Sequence, residues 1–183
     1  INADGTVPAD NPFIGQADVR PELWSTGHRN VQGAALHPDT GALWTIEHGP
    51  RGGDELNHTQ AGRNYGWPVI SYGIEYRGAP INRGISQRDG LEQPNYYWDP
   101  VIAPGDMEFY TGELFPWRGD LLIAGLVARG IVRVRLEGER VVAEEFLDLD
   151  LGRVRDVAQA SDGALWIITD EDNGRVLRLT PRR

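Results

Sequence analysis

Three segments of the chain repeat one outline: GALWTIEHG from Gly41, GDLLIAGL from Gly119 and GALWIITDE from Gly163. Each is a turn glycine followed by an apolar run of strand length. Gly119 and Gly163 lie 44 residues apart, close to the roughly 40–50 residues that one four-stranded propeller blade occupies. Gly41 and Gly119 lie 78 apart, one such period with a surplus of about 34. The surplus falls mainly in 50–100, where glycine, proline and aromatic residues concentrate. It reads as a long functional excursion from one blade, over about 47–105. After each of the last two markers a second strand alternates with period two, GIVRVRL at 130–136 and GRVLRLT at 174–180, and ERVVAEEFL at 139–147 reads as an outer strand. No segment keeps helical periodicity for three turns. The expected fold is all-β, a single partial β-propeller domain over 1–183 with about three blades of four antiparallel strands. Propellers close as rings of typically four to eight blades, so three blades point to the C-terminal half of a larger ring.

Composition narrows the partners. A chain of 183 residues, 40% hydrophobic and 25% charged, can bury one sizeable core. Its formal charge of −9 repels polyanions, which argues against nucleic acid or an anionic membrane. An anionic ligand must therefore meet a local basic cluster. The absence of cysteine excludes disulfides, thiolate metal sites and a cysteine nucleophile. The longest apolar run, LLIAGLVA at 121–128, is too short to span a membrane.

Several stretches carry possible chemistry. EHGPRGGDELN at 47–57 combines carboxylates with glycines that let backbone oxygens approach an ion, as a calcium loop does; by itself a solvated loop is the simpler reading. In RVRDV, Arg153 and Arg155 point to one face of a strand and could reach one ligand; alone, such a pair is ordinary solvated charge. HRN at 28–30 is either a binding pair or a turn. DEDNG at 170–174 has alternate acids but joins two strands, so a hairpin turn is the simpler reading.

GHRNVQG at 27–33, EHGPRGGDELN at 47–57, GRNYGWP at 62–68, SYGIEY at 71–76 and RVRDV at 153–157 occur in this order. The series resembles the soluble, pyrroloquinoline quinone (PQQ)-dependent aldose sugar dehydrogenases, the glucose/sorbosone dehydrogenase family, over nearly the whole chain. That resemblance implies a six-bladed propeller about twice this length, located in the periplasm or secreted. It implies PQQ and calcium as cofactors, an aldose substrate and an external electron acceptor. Arg29, Asn30, His48, Tyr76, Gly125, Leu126, Arg153 and Arg155 match its cofactor-binding positions. Gly49 and Pro50, through their carbonyls, match the calcium that grips PQQ. Glu55 and Tyr65 match a second, structural calcium, with Asp54 assisting. Arginine suits a tricarboxylate because its planar fork pairs with carboxylates at two points.

Where one branch of the family has a lysine near the quinone, this chain has Val127, with Arg129 two residues on. Tyr96, Tyr97 and Trp98 read as a sugar-stacking floor or as core, with core the simpler choice. By the same resemblance, oxidation at the anomeric carbon needs a histidine base in the N-terminal half. No histidine precedes His28, so these residues alone are expected to turn over sugar poorly or not at all. Two rival readings are a calcium-binding propeller module without redox chemistry and a propeller lactonase. The second needs several side-chain carboxylates around a ring axis, and here the candidate ligands cluster in one loop.

Overall fold

The computed structural model describes residues 1–182. Its strands form three antiparallel sheets, and one 3-10 turn spans Ile81–Gly84. The first sheet runs β1 (Val31–Leu36), β2 (Leu43–Glu47), β3 (Asp54–His58) and β4 (Tyr96–Trp98) in sequence order. The second runs β5 (Pro104–Phe109), β6 (Leu121–Gly125), β7 (Gly130–Glu137) and β8 (Arg140–Leu147). The third holds β9 (Val154–Gln159), β10 (Leu165–Thr169) and β11 (Val176–Leu179), with β10 in the middle. The repeated glycine markers thus open the second strand of each sheet. Leading strands β1, β5 and β9 lie side by side. A Cβ on Gly33 would fall 2.8 Å from the Met107 amide, and one on Gly105 would fall 2.1 Å from the Arg155 carbonyl. Sheets that share an inner edge in this way are propeller blades. The third departs from the four-strand expectation, because the described residues after Leu179 add no further strand.

Packing explains why the middle marker is apolar throughout. Leu121, Ile123, Val132 and Val134 face blade 1 and join Trp44, Ile46, Leu56 and Trp98 in one core. Leu122, Ala124 and Ile131 face blade 3 and join Val154, Val157, Leu165 and Ile167 in a second. A blade buried on both sides has no solvent face to keep polar. Each such aliphatic side chain contributes about 1.5–3 kcal/mol.

Blade 1 is built differently. Trp44, Ile46 and Leu56 face blade 2, so alternation sends Thr45, Glu47, Glu55 and Asn57 to the other side. There Thr45 pairs with Asn57 and Glu47 with Glu55. Thr45, Glu47 and Asn57 are nevertheless buried. Their cover is the N-terminal segment together with residues 59–95, the excursion that leaves after β3 and returns at β4. Thr59 Oγ1 lies 2.7 Å from Thr45 Oγ1, and the Tyr65 ring stacks on His28 at 4.6 Å.

Candidate functional site

The site grows from this covered polar face. Residues 26–27 run beside 63–67 through backbone bonds: Thr26 N to Arg63 O at 2.9 Å, Tyr65 N to Thr26 O and Trp67 N to Gly27 O, both at 2.8 Å. Gly27 has φ +74, and a Cβ there would fall 2.4 Å from the Gly66 amide, so only glycine fits. This pairing sets the Trp67 ring 5.2 Å from the Arg29 guanidinium carbon. Arg29 donates from Nη1 to His48 O at 3.0 Å, and its Nη2 lies 3.5 Å from the Tyr76 hydroxyl. Its Nε is buried with no partner. Asn30 accepts His48 N at its carbonyl and Gln32 Nε2 at its side chain, at 3.0 and 2.9 Å.

His48 sits where blades 1 and 2 meet, with its ring beside the Pro104 backbone. Burial chiefly, and the charges of Arg29 and Arg155, hold its ring below the usual histidine range against the pull of Asp54. Its neighbours Gly49 and Pro50 start a tight reversal, in which a Cβ on Gly49 would lie 2.2 and 2.3 Å from the carbonyls of Gly52 and Gly53. Asp54 closes that loop, accepting Gly49 N at 2.9 Å and Ala103 N at 2.7 Å. Both its oxygens bind backbone amides, so it ties the loop to blade 2.

Gly49, Pro50, Glu55 and Tyr65 line one crevice, with Glu47 and Arg29 also in its wall. Its volume of about 10 Å³ leaves room for about one water molecule or ion. Burial, followed by the charge of Glu47, pushes the Glu55 carboxyl up to about 8. The Tyr65 hydroxyl is committed elsewhere, donating to His58 O at 2.6 Å and accepting Gln60 N at 2.9 Å. Among the described residues no three His, Cys, Asp or Glu side chains are grouped to hold a metal. Any ion here would therefore depend on backbone oxygens as well as carboxylates. A larger cleft of about 940 Å³ opens alongside, and it too is walled by Arg29, Pro50 and Trp67, with Tyr76 and Glu75 beyond.

The remaining candidates approach from blades 2 and 3. Arg153 and Arg155 each donate from Nη2 to Asp170 Oδ2 at 3.0 Å, and the Arg153 bond chiefly lowers the Asp170 carboxyl. Their shared strand face thus converges on the β10–β11 turn. Arg155 lies near enough to act on His48; Arg153 joins it through Asp170. Gly125 pairs with Pro104, and Leu126 N bonds Ala103 O at 2.8 Å. The Leu126 side chain is buried, while Val127 is exposed. Trp98 belongs to the first core, with its Nε1 bonded to Glu144, and Tyr97 stacks on Tyr72 at 4.0 Å. Sequence reasoning gave no role to Glu47, Asn57, Trp67 or Asp170, which hold the candidates in place.

The family model for glucose/sorbosone dehydrogenases matches residues 1–178. The chain belongs to that family. The glucose/sorbosone dehydrogenase relatives include aldose sugar dehydrogenase YliI of Escherichia coli, 42% identical over 100% of this chain and 50% of its own length. A glucose dehydrogenase crystal structure superposes with a TM-score of 0.95 at 48% identity, covering 100% of this chain and 54% of that one. An aldose sugar dehydrogenase from Streptomyces coelicolor, solved in its PQQ-bound form, gives 0.75 at 30% identity over 98% of this chain and 50% of its own. The chain spans about half the length of the relatives it matches. Its all-β blades agree with the propeller expected of the family. No helix of the described residues is long and apolar enough to cross a membrane.

Proposed function

We propose that this chain forms the cofactor-binding portion of a PQQ- and calcium-dependent aldose sugar dehydrogenase, which oxidises the sugar at its anomeric carbon and passes electrons to an external acceptor. The observation that carries this reading is a pair of adjoining cavities, one the size of an ion and one of about 940 Å³, that share Arg29, Pro50 and Trp67 as walls. PQQ is a planar tricarboxylate. The buried, unpartnered Nε of Arg29 fits a ligand carboxylate, and Trp67 and Tyr76 offer ring faces beside it. Arg155, Arg153 and Asn30 supply further donors, with Gly125 and Leu126 contributing backbone. The carbonyls of Gly49 and Pro50, for the calcium at the quinone, and the Glu55 carboxylate with the Tyr65 carbonyl, for the structural one, are the hard oxygen donors that calcium prefers.

When bound, the quinone with its calcium supplies a hydride acceptor polarised by a Lewis acid. The residues of this chain bind, orient and set the charge. Guanidinium groups hold the cofactor carboxylates, and a neutral His48 keeps a competing cation out of the clamp. The base that takes the sugar hydroxyl proton lies outside these 183 residues. His28 is held between Ser25 and Glu47, and His58 between Trp44 and Glu139. His37 packs on Phe109. Location in the periplasm or outside the cell belongs to the same proposal. A calcium-binding module without redox chemistry is the second reading, and it rests on the ion-sized crevice alone.

A visible-absorbance titration of the chain with PQQ separates them. A saturable spectral shift that requires calcium is expected; its absence overturns the quinoprotein reading in favour of the module. With dye acceptor and aldose added, the 183-residue chain is expected to bind quinone without turnover. Full steady-state turnover would remove the assignment of the base to other residues.

A further inference from the structure

Glu47 ends β2 on the covered polar face and is 3% exposed. Its Oε2 accepts the backbone amides of Arg29 at 2.6 Å and Asn30 at 3.3 Å. Oε1 meets His28 Nδ1 at 2.9 Å and Asn57 Nδ2 at 3.1 Å. A carboxylate only accepts, so His28 turns its Nδ1 hydrogen to Glu47, and its Nε2 faces Ser25 Oγ at 2.8 Å. Strand β1 begins only at Val31, so β pairing does not take up the amides of Arg29 and Asn30. One buried side chain therefore fastens the turn that carries both residues. Without it those part-buried amides would lose their acceptor in the protein, and the turn its tie to β2.

We infer that Glu47 is a positioning residue: besides lining the ion crevice, it fixes Arg29 and Asn30 for the quinone through their backbone amides and does not itself bind the quinone. Its consequence rests on the quinone reading of the cleft, whereas its geometry does not. Glu47→Gln keeps the shape but replaces one oxygen by an NH₂ group, which then faces one pair of donors. The same carboxylate also joins the cofactor turn to Asn57, and so to the strand that carries Glu55. The clamp and the ion crevice thereby share one anchor.

Two measurements on the intact protein test this. The amide proton of Arg29, in a short charge-assisted bond, is expected to move upfield in Glu47→Gln, with the Asn30 amide following and blades 2 and 3 unchanged. Unmoved resonances for both amides overturn the inference whether or not quinone binds. In calcium, the PQQ dissociation constant is expected to rise about tenfold, the equivalent of one charge-assisted hydrogen bond. Combining Glu47→Gln with Arg29→Lys should then cost little more than the larger single loss, because both act on one contact. Additive losses, or unchanged affinity in Glu47→Gln, overturn it. If the wild type binds no quinone, the cofactor reading fails by itself; if it binds and the variant binds equally, only the role of Glu47 fails.

Discussion

Glu55 shows what burial beside a second carboxylate does to one acid. Its carboxyl stands at about 8 against an ordinary 4.5, first through burial and then through Glu47 opposite it on β2. Between those values the folded state holds a proton that the unfolded chain has released. The stability contributed by this group is therefore full below about 4.5 and is lost as pH rises through about 8. Calcium takes the ionised form, so its affinity should climb over the same interval and level off above it. Thermal unfolding in chelator is expected to show a melting temperature that falls across this window, with calcium removing the fall. Glu55→Gln should flatten the slope in chelator and abolish the effect of calcium; an unchanged slope would rule out Glu55 as its source. Glu55, Arg29, His48 and Tyr65 stand out as candidates in the sequence because ordered motifs carry them, and the fold brings them around one crevice. Glu47 and Asn57 do not stand out, because T-I-E and E-L-N alternate like any half-solvated strand, and only a segment distant in sequence turns their polar side into an interior. Asp54 has a second role that its glycine loop did not reveal: it binds two backbone amides, one of them in blade 2.

The elements were the easier part to read. A recurring glycine marker located the second strand of each blade, since a blade needs a turn and an apolar run at each repeat. The surplus length was visible too, but not that it leaves between β3 and β4, because no local signal says which hairpin a long excursion replaces. The inner-edge contact between β5 and β9 was equally hidden. Gly105 in the segment APGDM gives no hint that Arg155 lies against it, and yet the approach is so close that a Cβ would fall 2.1 Å from one backbone atom and 3.0 Å from another. Backbone on backbone cannot yield as the tip of a side chain can. Gly105→Ala is therefore expected to cost about 1–3 kcal/mol or more, read as a lower denaturant midpoint. It should also shift the guanidinium of Arg155 relative to His48 and weaken quinone binding. Wild-type stability in this variant would mean that the β5–β9 contact does not limit stability.

Across the whole molecule, burial is uneven. Blade 2 is packed on both faces and blade 1 covers its outer face with its own excursion, but blade 3 has one face packed and one open. Leu165, Ile167, Leu177 and Leu179 face the second core. On the opposite side Trp166, Ile168 and Val176 are 43%, 42% and 68% exposed, with Arg178 over the Trp166 ring at 5.9 Å. A contiguous apolar strip of this kind is a docking surface or an association liability. The 183-residue chain studied alone carries a net charge of −9, which opposes self-association at low ionic strength and is screened as salt rises. Light scattering should therefore show a mass that grows with salt, the reverse of an assembly held by ion pairs. Ile168→Glu with Val176→Lys should return it to monomer at all salt concentrations. The melting temperature should change little, because neither side chain loses much packing. A chain that stays monomeric without the substitutions, even in high salt, would mean that this strip is too small or too well guarded by Arg178 and its Asp162 partner to drive association.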